Sequence, residues 1–110
     1  MTTEQFDRLL ENIIDVHVKG VMCKKSKEYS RGSDKLYNFY RAGEMSQKSP
    51  EECLRGMKLK HDVSLDDMLD DLMRDHENPQ ELWQEKLRDE INYLILLWAL
   101  LAERYEWEIL

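Results

Sequence analysis

Apolar residues recur at three- and four-residue steps along most of this chain, and hardly any stretch shows the two-residue alternation of a strand. Phe6, Leu9, Leu10, Ile13, Ile14 and His17 predict one buried helical face, in a helix that continues past Gly20 toward Glu28. Tyr29 to Ser33 reads as a turn, because Gly32 gives backbone freedom and Ser33 can accept bonds from the exposed amides of a following helix. That second helix would turn Leu36, Phe39 and Tyr40 inward. Ser49-Pro50-Glu51-Glu52 supplies a cap, a proline at the first helical position and a glutamate that can bond back to the cap, so a third helix starts there. Val63-Ser64-Leu65-Asp66-Asp67-Met68 repeats the pattern and predicts a short fourth helix over 65–74, with Val63 packed on Met68. Asn78-Pro79-Gln80-Glu81 opens a last helix that reaches Tyr105. The expected fold is all-α: a compact bundle of about five helices, neighbours antiparallel, with a long and largely buried C-terminal helix.

Within that last helix the pattern sharpens. At about 100° per residue, Glu85, Asp89 and Asn92 fall on one stripe and Trp83, Leu87, Leu94 and Trp98 on the opposite one. From Leu94 to Leu101 there is no polar face at all, and such a segment must be covered on every side. A chain of 110 residues can barely do this alone, so self-association into a homo-oligomer is expected.

Length and 42% apolar content suit a single domain spanning residues 1–110. The longest apolar run, Leu94 to Ala102, is about half of what a bilayer requires, and no charged, apolar leader opens the sequence. The expectation is a cytoplasmic protein with no membrane partner. Cys23 and Cys53 stand alone without metal-ligand spacing and read as reduced core residues. The net charge of −7 argues against direct nucleic-acid binding. It is also unevenly spread. Residues 1–60 carry 12 Lys/Arg against 9 Asp/Glu, a balance of +3, and residues 61–110 carry 4 against 14, a balance of −10. Two such halves either simply attract each other or suit a phosphate ligand that carries a metal ion.

Asp34 and Asn38 are four apart on the second helix, as Glu85 and Asp89 are on the last. If those faces meet, their oxygens with Asn92 one turn deeper could hold a hard divalent cation; the alternative for Asp34 is a helix cap. Lys24, Lys25, Lys27 and Arg31 surround Glu28 just before the turn; they are either solvated or placed to hold phosphates. His61 could contact phosphate or carry a proton, or be structural. Asp66, Asp67, Asp70 and Asp71 make like-charged pairs that invite a cation, a lysine or a basic partner. No nucleophile motif, Gly-rich phosphate loop or dinucleotide fingerprint is present.

Three blocks, Lys27-x-Tyr29 with Asp34, Asn38 and Phe39, then Lys60-His61 with Ser64, Asp67 and Met68, then Glu85-Lys86 with Asp89, Asn92, Tyr93 and Leu96, resemble small phage and prophage proteins of a MazG-like type. These are similar to the all-α nucleoside triphosphate pyrophosphohydrolases. The resemblance spans about residues 24–101. It implies an oligomeric helical protein that uses Mg²⁺, or Mn²⁺, to split a nucleoside triphosphate into monophosphate and pyrophosphate. Glu85 and Asp89 would be catalytic, with Glu28, Asp34, Glu85 and Asp89 on metal and Lys24, Lys27, Arg31, Asn38, His61 and Asn92 on substrate. The EExxE cluster of the better-known enzymes is missing here, where only Glu28 stands, so Asp34 and Asn38 would have to substitute. The alternatives are a protein that binds or sequesters a nucleotide or nucleotide signal intact, and an acidic interaction protein acting on a host defence component.

Overall fold

The computed structural model describes residues 1–23, 31 and 34–109. Its described part is all-α, with four helices rather than about five. Helix α1 spans Thr3–Asn12 and widens without a break into a π-helical stretch, Ile13–Gly20. Helix α2 spans Tyr37–Ser46, α3 Pro50–Met73 and α4 Gln80–Arg104. The only extended pairing among the described residues is an isolated bridge between Arg31 and Asp34.

The missing fifth helix is a fusion. Ser49 caps α3 as its sequence predicts, accepting from the Glu52 amide while the Glu52 carboxylate accepts from the Ser49 amide. Ser64, expected to cap a separate helix, instead turns its hydroxyl back onto the Lys60 carbonyl 3.0 Å away, and the helix runs through it. Val63 is left 53% exposed and forms no staple. The result is one rod of 24 residues, about 36 Å long. Asn78 likewise does not cap α4. Its amide donates to Asp71 Oδ2 at 3.2 Å, and Pro79 takes the cap position without a side-chain bond. The expected Ser33 cap and the expected run of the first helix over 24–28 lie outside the described residues.

Helix α4 packs chiefly on α3, α2 packs on α3, and the π-helical stretch packs on α4. The core is formed by Leu36 and Phe39 from the start of α2, Leu54 from α3, and Tyr93, Leu96 and Leu100 from α4, with Phe39, Leu54 and Leu100 fully enclosed. Gly43 permits the tight exit from α2: a methyl there would sit 2.7 Å from the Lys48 carbonyl oxygen. Arg104 and Glu51 tie the far ends of α4 and α3 with paired bonds of 2.5 and 2.7 Å, and Tyr40 donates to Glu103 at 2.5 Å. No described helix is long and apolar enough to cross a membrane.

The expectation of a largely buried last helix needs correction. Only Asp89, Asn92, Tyr93, Leu96 and Leu100 of α4 are buried. They lie on one side, whereas Leu87, Leu94 and Trp98, the apolar stripe, face outward at 46%, 55% and 71% exposure. The polar stripe points in because it shares its side of the helix with Tyr93, Leu96 and Leu100, whose combined apolar area outweighs one carboxylate and one amide.

Candidate functional site

The inward stripe of α4 sets the site. Asp89 is 6% exposed and Asn92 4%, three residues apart and therefore neighbours on one helical face. Across from them, α3 brings His61, whose Nδ1 lies 3.4 Å from Asp89 Oδ2 and whose ring sits 5.1 Å from that of Tyr93 at a 42° tilt. One turn earlier on α3, Lys58 donates to Asp62 at 2.6 Å and to Glu90 of α4 at 2.8 Å. Those bonds, the one to Asp62 first, raise the Lys58 pKa and keep the ammonium charged, while Lys58 holds the Asp62 carboxyl below its ordinary value. A row of charge, Asp62–Lys58–Glu90, thus closes the wall beside Asp89.

Asn92 is the feature that ordinary packing does not explain. Neither its Oδ1 nor its Nδ2 has a hydrogen-bond partner, and both are enclosed. Leaving a buried polar group unpaired costs about 1–3 kcal/mol, so such groups call for a partner that the described residues do not supply. The amide presents one acceptor and two donors, the complement of a nucleobase edge or of a second amide. Glu90 Oε1 and Arg88 Nε are also enclosed without partners on the same helix.

The residues expected from sequence are distributed as follows. Asp89, Asn92 and His61 converge. Glu85 stands one turn before Asp89, at the exposed mouth of the same stripe. Asp34 and Arg31 are elsewhere: with Tyr37, Tyr40, Arg41 and Glu44 they line an open cavity of about 610 Å³ to which α4 contributes no lining. There Asp34 Oδ1 accepts from the Leu36 amide at 3.0 Å, a local turn bond ahead of α2, whose cap residue Leu36 has no side-chain cap bond, and Arg31 lies 5.6 Å over the Tyr37 ring. Asn38 is half-buried on α2. Lys24, Lys27 and Glu28 lie outside the described residues. Among the described residues, Asp34, Glu85 and Asp89 do not form a group with ligand oxygens within 4.8 Å of one another; Asp66, Asp67 and Asp70 do, on the solvent face of α3. All three are exposed, where water screens their repulsion.

Sequence reasoning did not single out Tyr93 as a site residue, nor the Asp62–Lys58–Glu90 row. Lys58 and Asp62 were legible as an i, i+4 pair, but Glu90 joins them only through the packing of α4 on α3. The chain matches no family model, no curated protein and no solved structure.

Proposed function

We propose that this protein binds a nucleotide together with Mg²⁺ at the inner face of α4, and that it hydrolyses a nucleoside triphosphate to monophosphate and pyrophosphate. The observation that carries the reading is the enclosed, unpartnered amide of Asn92 beside the buried carboxylate of Asp89. The amide supplies what recognition of a base edge needs, and the carboxylate lies three residues before it on the same face.

The donor set fits Mg²⁺, which takes one or two carboxylates and fills its shell with water and phosphate oxygens. Glu85 and Asp89, one turn apart, would hold it, and when bound it neutralises charge on the phosphates. The protein's own groups do the rest. Asp89 or Glu85 accepts a proton from the attacking water as that oxygen bonds to the α-phosphorus and the bond to the bridging oxygen breaks, releasing pyrophosphate. His61, in contact with Asp89 at 3.4 Å, orients that carboxylate and can take the proton onward. The partly exposed His61, backed by the buried Tyr93 ring, offers a ring face on which a base can lie.

Calorimetry with a panel of nucleoside mono-, di- and triphosphates, with and without Mg²⁺ or Mn²⁺, tests the binding. Phosphorus NMR of the same mixtures tests the cleavage. Binding lost in Glu85→Gln plus Asp89→Asn, together with a pyrophosphate signal from the unaltered protein, is the expected result. Ligand recovered intact would make the protein a sequestering one. No heat from any nucleotide at millimolar concentration would refute the nucleotide reading altogether.

A further inference from the structure

Helix α4 carries two seams, and the bundle closes only one. Leu87, Ile91, Leu94, Trp98, Leu101 and Tyr105 follow one another at alternating steps of four and three, the spacing by which one helix packs along another. This second seam points away from the core. Near its start, Leu87 and Ile91 border a small apolar cavity with Leu9 and Ile13 of the first helix. From Leu94 onward it lies open, with Leu94 55%, Ile95 40%, Trp98 71% and Tyr105 62% exposed. The first helix repeats the situation: Phe6 and Leu10 of α1 and Ile14 of the π-helical stretch form an apolar stripe, yet no residue of α1 is buried.

The size of the uncovered surface suits a second copy of the chain. A compact chain of 13.3 kDa exposes about 6,400 Å² by the size scaling of monomers, whereas this one exposes 8,619 Å², an excess of roughly 2,200 Å². Its radius of gyration, 16.2 Å, exceeds the roughly 13 Å of a compact domain of this length. An obligate homodimer buries about 1,000–2,500 Å² on each chain, so one self-complementary contact would remove the whole excess. A seam of uniform apolar character on a single helix can meet its own copy across a two-fold axis, since each step of four or three presents the same kind of side chain.

We infer that a second copy of this chain covers the outer seam of α4, with the Leu94–Tyr105 half of one helix packed against that of the other and the α1 stripes at the flanks. The contact does not depend on what binds beside Asn92, which lies on the opposite side of α4.

Light scattering and sedimentation of the full chain should give twice the 13.3 kDa of one chain. The double variant Leu94→Lys plus Trp98→Glu should run as a monomer with its helical circular dichroism retained, because both side chains are exposed in the single chain. Hydroxyl-radical footprinting of the unaltered protein provides a readout that needs no variant: oxidation of Trp98 should rise severalfold on dilution through the dissociation range. Nucleotide binding by the monomeric variant would separate this surface from the site. A monomer at every concentration, a dimer that survives the double variant, or Trp98 oxidation that does not change with dilution would each overturn the inference.

Discussion

Replacing Asn92 with leucine should make the protein more stable and, on the proposed function, unable to bind nucleotide. The two side chains have the same number and branching of heavy atoms, so the change swaps a carbonyl oxygen and an amide nitrogen for two bulkier methyl groups on the same branch. At 4% exposure, with both polar atoms unpaired, the asparagine carries a desolvation cost of about 1–3 kcal/mol that leucine would not. Against this stands the larger, tetrahedral branch of leucine, whose overpacking costs about 1–3 kcal/mol and is offset by about 1.5–3 kcal/mol from burying its apolar surface. A net gain of about 1–2 kcal/mol is expected. In urea at 25 °C the midpoint should move up by about 1 M with an unchanged slope, and the thermal midpoint by roughly 5–10 °C. Asn92→Asp is the companion variant. It places a second carboxylate three residues from Asp89 in an enclosed site, and it should destabilise. If Asn92→Leu lowers stability by 1 kcal/mol or more, the amide is already satisfied in the folded chain, and the reasoning that makes it a recognition group fails.

Three further outcomes follow from two glycines and one ion pair. Gly43→Ala gains about 1 kcal/mol of helix propensity but drives a methyl to 2.7 Å from the Lys48 carbonyl, a backbone atom that cannot step aside, so a net loss of about 1–2 kcal/mol should appear in urea. Gly56→Ala in α3, which meets nothing within 4 Å, should instead stabilise by up to about 1 kcal/mol; equal effects at the two glycines would show that the contact is not tight. The bond from Arg104 holds the Glu51 carboxyl below its ordinary value of 4.5, so this pair stabilises above that pH and its contribution is lost as pH falls through the lowered value. The thermal midpoint of the unaltered protein should therefore fall more steeply between pH 5 and pH 3, a range of about two units around that value, than that of Glu51→Gln. Parallel acid limbs would remove the pair from the account.

What could be read from sequence divides along a physical line. Ser49-Pro50-Glu51-Glu52 predicted its helix start because a capping box is closed by residues three apart and needs nothing else. The same reasoning failed at Ser64, since a serine inside a helix can bond the carbonyl four residues back, and only the packing of α3 along α4 makes the continuous rod the better solution. Periodicity divided α4 into two stripes with the correct members. It could not say which stripe faces the core, because an angle around a helix has no sign until a neighbour is placed. Asp89, His61 and Asn92 were therefore identified as residues, while their burial, and with it the unpaired amide, became visible only in three dimensions. Asp34 shows the converse. Its spacing from Asn38 matched a ligand pair, yet its carboxylate accepts from a backbone amide two residues on.

The π-helical stretch Ile13–Gly20 gives the first helix a property that its neighbours lack. Each π turn takes about one residue more than an α turn, so the stretch shifts the angular register of the side chains that follow it relative to those that precede it. Before it, Phe6, Leu9 and Leu10 look outward; within it, Val18 is buried. Deleting a single residue there could restore the α ladder, but it would rotate everything on one side of the deletion by about 100° relative to the other. Chain length over these eight positions is therefore a dial that sets which face of the first helix meets α4, and it can be turned without changing any residue that touches the site.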